Sequence, residues 1–138
     1  MVRDVTRGLA AMVVGLVVIS VGTEALEFGL VTLLNGGAVI DPDAYFEVRN
    51  QLPFLLGKLV YNTLFAVMGG YVAALAAGVG GFRYVVALAV LQSGFLLFGA
   101  LGMELGAYTP GWVWIGLILL TGPAIVAGGL GRLRAGRD

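Results

Sequence analysis

From Leu59 to Phe82 the chain carries no charged side chain. A run of that length exceeds the roughly 20 apolar residues a helix needs to cross a bilayer core about 30 Å thick. It belongs to a longer apolar stretch, about 52–78, and three others of the same kind lie at about 8–34, 84–103 and 111–130. With 59% hydrophobic and 12% charged residues, a soluble domain of 138 residues could not hide so much apolar surface. The mean hydropathy of +0.99 agrees. The expected fold is therefore all-α: one integral membrane domain, a four-helix transmembrane bundle connected up-down-up-down. The links "GVGG" and "ELGAYTPG" are short, so helices adjacent in sequence are expected to pair as antiparallel hairpins.

Orientation follows from the basic residues. Arg3, Arg7, Arg83, Arg132, Arg134 and Arg137 fall on one side, and only Arg49 and Lys58 on the other. Six against two places both termini in the cytoplasm and the loop 35–51 outside, in a multi-pass protein of the cell (inner) membrane. The N-terminal segment, with Arg3, Arg7, an apolar run and "SVG" at 20–22, has the outline of a signal peptide. Its helical pattern continues through "EALEFGLVTLL", so it reads as an uncleaved span.

Composition also removes function classes. There is no cysteine and no histidine. Disulfides, thiol chemistry, the commonest metal and haem ligands and the usual general base near neutral pH are thereby excluded. A net charge of zero, with basic residues in short patches, gives no case for nucleic-acid binding. "GGLG" at 128–131 is not a nucleotide-binding loop, because no strand precedes it. No catalytic, cofactor-binding or metal-binding residue is expected.

In the outer loop, Asp41 can cap a short helix that Pro42 opens, and Pro53 breaks the chain before span two. On that short helix Tyr45, Phe46 and Val48 are expected on the membrane surface, with Asp43, Glu47 and Arg49 facing water. A lid, a partner site, or a calcium site from Asp41, Asp43 and Glu47 is conceivable there. The plainer reading is a solvated interfacial helix, since the spacing lacks the Ca²⁺ loop pattern.

Two devices concern packing. In span two Ala66, Gly70, Ala74 and Gly78 recur every fourth residue, and Gly69, Ala73 and Ala77 form a second seam beside them. Such seams bring helices into close contact in lipid, either within one bundle or between copies. In span four, Pro123 frees a carbonyl and bends the helix. A short echo, "ALEFG" against "GMELG", ends spans one and three.

The polar residues inside the spans form the candidate site. Glu24 and Glu27 are three apart on one face, with Ser20 a turn earlier. Lys58, Tyr61 and Asn62 share a face of span two. Glu24 lies 16 residues above Gly8, roughly 24 Å, and Lys58 six residues below Leu52, roughly 9 Å, so their depths match. Glu104 and Tyr108 are expected slightly above, and Gln92, Ser93 and Thr121 nearer the midplane. A charge in the membrane centre costs roughly 2.5–3.5 kcal/mol, so these groups should face one another. Glu24 is expected to be the buried partner of Lys58, and Glu27, a turn nearer the outside, to reach water. Two carboxylates against one ammonium would leave a surplus able to hold a proton or a cation. The alternative is an ion-paired staple between the two spans.

Residues along the chain resemble a group of small, uncharacterised bacterial four-span membrane proteins. The resemblance rests on "ALE" ending span one, "DP" then "LP" leading into span two, "GGYVAALAAG" with an arginine after it, "PGWVW" before the last span, and "GPAIVAGGLGRLR" at the close. It implies a four-span fold and no particular activity. Many members carry a histidine beside the proline before the last span. Here the neighbour of Pro110 is Thr109, so no role of that histidine carries over.

Two functions are consistent with these observations. The first is a non-enzymatic structural or accessory subunit, with the lipid bilayer and a second copy or another membrane subunit as partners. The second is a small transporter or channel component using an outer-leaflet polar site of Glu24, Glu27 and Lys58.

Overall fold

The computed structural model describes residues 2–102 and 108–136. The expectations that fall on Glu104, Arg137 and the first half of the "ELGAYTPG" link lie outside the described residues. Among those described the fold is all-helical. Helix α1 is Val2–Asn35, α2 Pro42–Arg49, α3 Leu52–Ala77, α4 Phe82–Gly102 and α5 Gly111–Ala135. All but α2 are long and apolar enough to cross a membrane.

Local chemistry sets the boundaries. The Asp41 carboxylate accepts from the Ala44 N–H at 2.9 Å, and Pro42 opens α2 where a missing N–H costs nothing. Gln51 is extended as the N-cap, and α3 starts at Leu52 with Pro53 in its first turn, where a missing N–H costs nothing. At the far end Gly78 takes φ +73°, a backbone conformation that residues with a Cβ rarely adopt, and this ends α3. Helix α5 runs through Pro123 as one element.

The long helices close a ring in the order α1, α3, α5, α4. Helix α3 packs most broadly on α5 and on α1, α4 packs on α5, and α4 meets α1 and α3 more lightly. Helices α3 and α4 are adjacent in sequence and meet only lightly. Their turn is short, yet the broadest contact of α3 is with α5. The cause lies in the two small-residue seams. A Cβ on Gly70 would collide with the Ile125 carbonyl, and one on Gly128 with the Val67 carbonyl, so the α3 and α5 backbones touch. On the neighbouring face, a Cβ on Gly15 would lie 2.9 Å from the Gly69 oxygen, and one on Gly69 2.8 Å from the Gly15 oxygen. Both seams are consumed inside one chain, one against α5 and the other against α1.

The main apolar core lies toward the chain termini: Ile19, Ala66, Ala73, Ala74, Val85, Leu88, Ala89, Ala124 and Ile125, all buried. A smaller cluster of Leu55, Val113 and Leu117 sits at the opposite end, with Leu59, Leu96 and Trp114 against it. Outward-facing positions are large and apolar, among them Val13, Leu33, Leu64, Leu101 and Leu119, as a lipid-facing surface requires. Polar side chains are enclosed between the two clusters.

Candidate functional site: a buried ion cluster beside a polar cavity

On α1 the residues Ala11, Gly15, Ile19, Thr23, Glu27 and Val31 recur every fourth position, and all are buried. This ridge lies against α3 and carries Glu27 inward, leaving 3% of it exposed. Glu24, one residue past Thr23 and so about 100° around the helix, is exposed. The glutamate that pairs with Lys58 is therefore Glu27, and the expectation that Glu24 would be the buried partner is corrected. Depth points to Glu24, with Glu27 a turn nearer the outside; the face of the helix decides for Glu27.

The Glu27 carboxylate meets three groups from two helices. Its Oε2 accepts from the Lys58 Nζ and from the Tyr61 hydroxyl, the latter at 2.7 Å. Its Oε1 lies 2.8 Å from the Arg49 Nε in an ion pair. Lys58 and Arg49 are each 5% exposed. Arg49 was expected to face water, and this too is corrected. Tyr45, Phe46 and Arg49 stand three and four apart, on one face of α2, and that face turns into the bundle. The Arg49 Nη1 also donates to the Thr109 hydroxyl at 2.8 Å.

Helix α2 is thus tied down over the site. The Phe46 ring stacks on Tyr108, with centroids 4.7 Å apart, and the Asn50 amide donates to the Tyr108 carbonyl. Burial pushes the Tyr45 hydroxyl up to about 12, and the neighbouring carboxylates of Glu27 and Glu24 push the same way. Asp43 and Glu47 are exposed, as expected of the outer face of α2. Among the described residues no group of three acidic side chains is arranged to hold a metal ion, so Asp41, Asp43 and Glu47 do not form a calcium site.

The remaining residues of the expected constellation divide. Lys58 and Tyr61 turn to Glu27, while the Asn62 amide turns the other way and donates to the Thr121 hydroxyl of α5 at 2.8 Å. Between these two pairings lies a cavity of about 150 Å³. Thr23, Arg49, Lys58, Asn62, Gln92 and Trp114 line most of its polar wall, and Glu24 stands at its exposed rim. The Thr23 Oγ1 and the Gln92 Oε1 are buried and have no partner within the protein. A buried polar atom without a hydrogen bond costs about 1–3 kcal/mol, and two beside one cavity point to something that fills it.

Sequence reasoning missed Thr23, Arg49 and Thr109 as site residues and set Gln92 at the midplane without a role. Thr23 and Glu27 could have been found from the four-residue ridge they share with Gly15 and Ile19. No family model, curated protein or solved structure matches the chain.

Proposed function

We propose that the chain is a small, non-enzymatic, multi-pass protein of the cell membrane that serves as an accessory subunit by holding a small polar solute in the outer half of its bundle. On this reading it crosses the membrane up-down-up-down with both termini in the cytoplasm, in line with the excess of arginine at that end. The sequence resemblance to small four-span membrane proteins agrees with the same architecture.

The observation that carries the proposal is the position of the cavity. It is polar and incompletely satisfied, and it ends against Ile19, which belongs to the main apolar core. Beyond that point Gly15 meets Gly69, and Gly70 meets Ile125, at backbone contact. A solute entering from the outer side has a place to stop and no wetted route onward. This favours binding over conduction by a single copy. A transport role would need further copies or another subunit to supply the rest of a path.

Proteoliposomes containing the purified chain should be no more permeable to small ions than empty vesicles, read with a potential-sensitive dye. A pull-down in mild detergent should bring down a second membrane protein. Sustained ion flux through the chain alone would overturn the accessory reading.

A further inference from the structure

The end of the bundle opposite the ion cluster is strongly basic. Residues 3–8, 78–84 and 131–136 form it, and Arg137 and Asp138 follow directly in the chain. These segments hold Arg3, Arg7, Arg83, Arg132, Arg134 and Arg137 against Asp4 and Asp138, and no other acidic residue falls in them. Six against two leaves four positive charges that the chain does not answer, wherever the two acids turn.

One of these arginines stands in a groove. Between the end of α3 and the end of α5 lies a space of about 210 Å³, walled chiefly by Ala74, Leu75, Gly78, Val79, Arg132 and Leu133. Arg132 is partly buried, and among the described residues its guanidinium has no acceptor. The walls are apolar and open outward: Leu75 is half exposed, and Val79 is wholly exposed in the turn between Gly78 and Gly80. The carbonyls that end a helix repel anions, and two such ends adjoin the groove. Here they are answered from within the chain. The Ala74 carbonyl accepts from the Gly78 N–H, the Ala76 carbonyl from the Arg7 Nε and the Arg132 carbonyl from the Gly136 N–H. Arg7 brings a second guanidinium close, since a Cβ on Gly78 would lie 2.9 Å from its Nη2.

We propose that this groove binds one anionic phospholipid, with the phosphate on Arg132 and an acyl chain along Leu75 and Val79. A soluble anion would answer the arginine and leave the apolar wall bare. A hydrocarbon chain alone would cover the wall and leave the arginine unanswered. A phospholipid supplies both parts, and basic recesses between the ends of spanning helices suit such headgroups. The volume equals about seven waters at ~30 Å³ each, enough for a phosphate and part of its glycerol. The site is separate from the polar cavity and does not depend on what fills it. It holds whichever face of the membrane the arginine-rich end occupies.

The test uses the full chain in mild detergent, titrated with phosphatidylglycerol and read by native mass spectrometry. One lipid per chain should bind saturably. Phosphatidylcholine with the same acyl chains keeps the phosphate and cancels its charge. Glycerol phosphate keeps the charge and lacks the chains. Each should bind at least about tenfold more weakly, because each loses one half of the recognition. Arg132→Gln should weaken phosphatidylglycerol binding about tenfold, the loss of a charge-assisted hydrogen bond. Arg134→Gln removes the same charge from an exposed position at the same end, where salt screens it, and should cost no more than about twofold.

Equal losses in the two arginine variants would mean a diffuse attraction to the whole basic end and would overturn the site. Several lipids bound with no saturation at one would do the same. Phosphatidylcholine bound as tightly as phosphatidylglycerol would make the groove merely apolar, and glycerol phosphate bound as tightly would make it a site for a free phosphate; either result overturns the assignment. If Arg132→Gln does not fold, Val79→Asp takes its place. It puts a carboxylate in the same groove at a wholly exposed position and should weaken binding by a similar factor. Unchanged binding in that variant would likewise overturn the site. Should no probe bind, the lipid assignment fails and the solute-binding reading, at the other end of the bundle, is untouched.

Discussion

Glu27 accepts from Lys58 and Tyr61 and is ion-paired with Arg49, so its removal should cost more than the loss of either cation. Glu27→Gln strands Lys58 and Arg49 together, and about 3–5 kcal/mol of destabilisation is expected for breaking a buried pair in this way. Lys58→Met leaves Glu27 with Arg49 and Tyr61, one charge against one, and should cost clearly less. Thermal unfolding of the two variants in one detergent checks the order. Equal losses would mean that Arg49 does not hold Glu27. Tyr45 supplies a second test. In the folded chain its proton is held up to about pH 12, against about 10 in an unfolded one. Its contribution to stability is whole below pH 10 and is lost as pH rises from there toward 12. Tyr45→Phe should flatten that part of the stability curve and remove a phenolate signal near pH 12 from the ultraviolet titration. Much of this site was legible. Apolar runs with few charges make Lys58 and the glutamates conspicuous, and helical rise puts them at one depth. Which glutamate turned inward was not legible from depth. Arg49 was misplaced because its charge was weighed above its spacing from Tyr45 and Phe46.

Helix α3 carries two seams, and each should respond to added volume. Gly70→Ala puts a methyl group where the Ile125 carbonyl stands, so α3 and α5 must separate or bend. Leu75 is 50% exposed on the outward face, and Leu75→Ala removes little that touches protein. The glycine variant should therefore lose several degrees of melting temperature in detergent and the leucine variant almost none. Comparable melting temperatures would count against backbone contact at the seam. The seams themselves are visible as a repeat of small residues every fourth position. Their partners are not, because a repeat shows that something comes close without showing which helix. That is why α5, and not the sequence-adjacent α4, emerged as the broad neighbour of α3. Helix α2 is held by one cap and a few side chains. Asp41→Ala removes that cap and should cost about 1 kcal/mol. It should also raise amide exchange across 42–49 before any of the long helices responds.

Across the whole molecule, three separated segments share one end. The Arg7 Nε donates to the Ala76 carbonyl at 2.7 Å, tying the start of α1 to the end of α3. The Tyr84 hydroxyl donates to the Asp4 carbonyl, tying α1 to the start of α4. Arg132 and Gly136 share a groove with Gly78 and Val79, which brings the end of α5 to the same place. Arg3, Arg7, Arg83, Arg132 and Arg134 therefore gather at a single end of the bundle, and helix α2 with Arg49 lies over the ion cluster at the other. The distribution of basic residues predicts that the arginine-rich end is cytoplasmic. Reporter fusions after Gly136 should then be active in the cytoplasm, and insertions in the loop 36–41 active outside. The contacts make a stronger demand than the charge rule does. A reporter inserted at 79–80 must fall on the same side as one at the C-terminus, whichever side that is. An answer of outside at both positions would reverse the orientation and leave the bundle intact, with the polar cavity then opening toward the cytoplasm. Opposite answers at the two positions could not come from a chain in which Arg132 lies beside Gly78. They would overturn the packing of α5 against α3, and with it the cavity that these helices enclose.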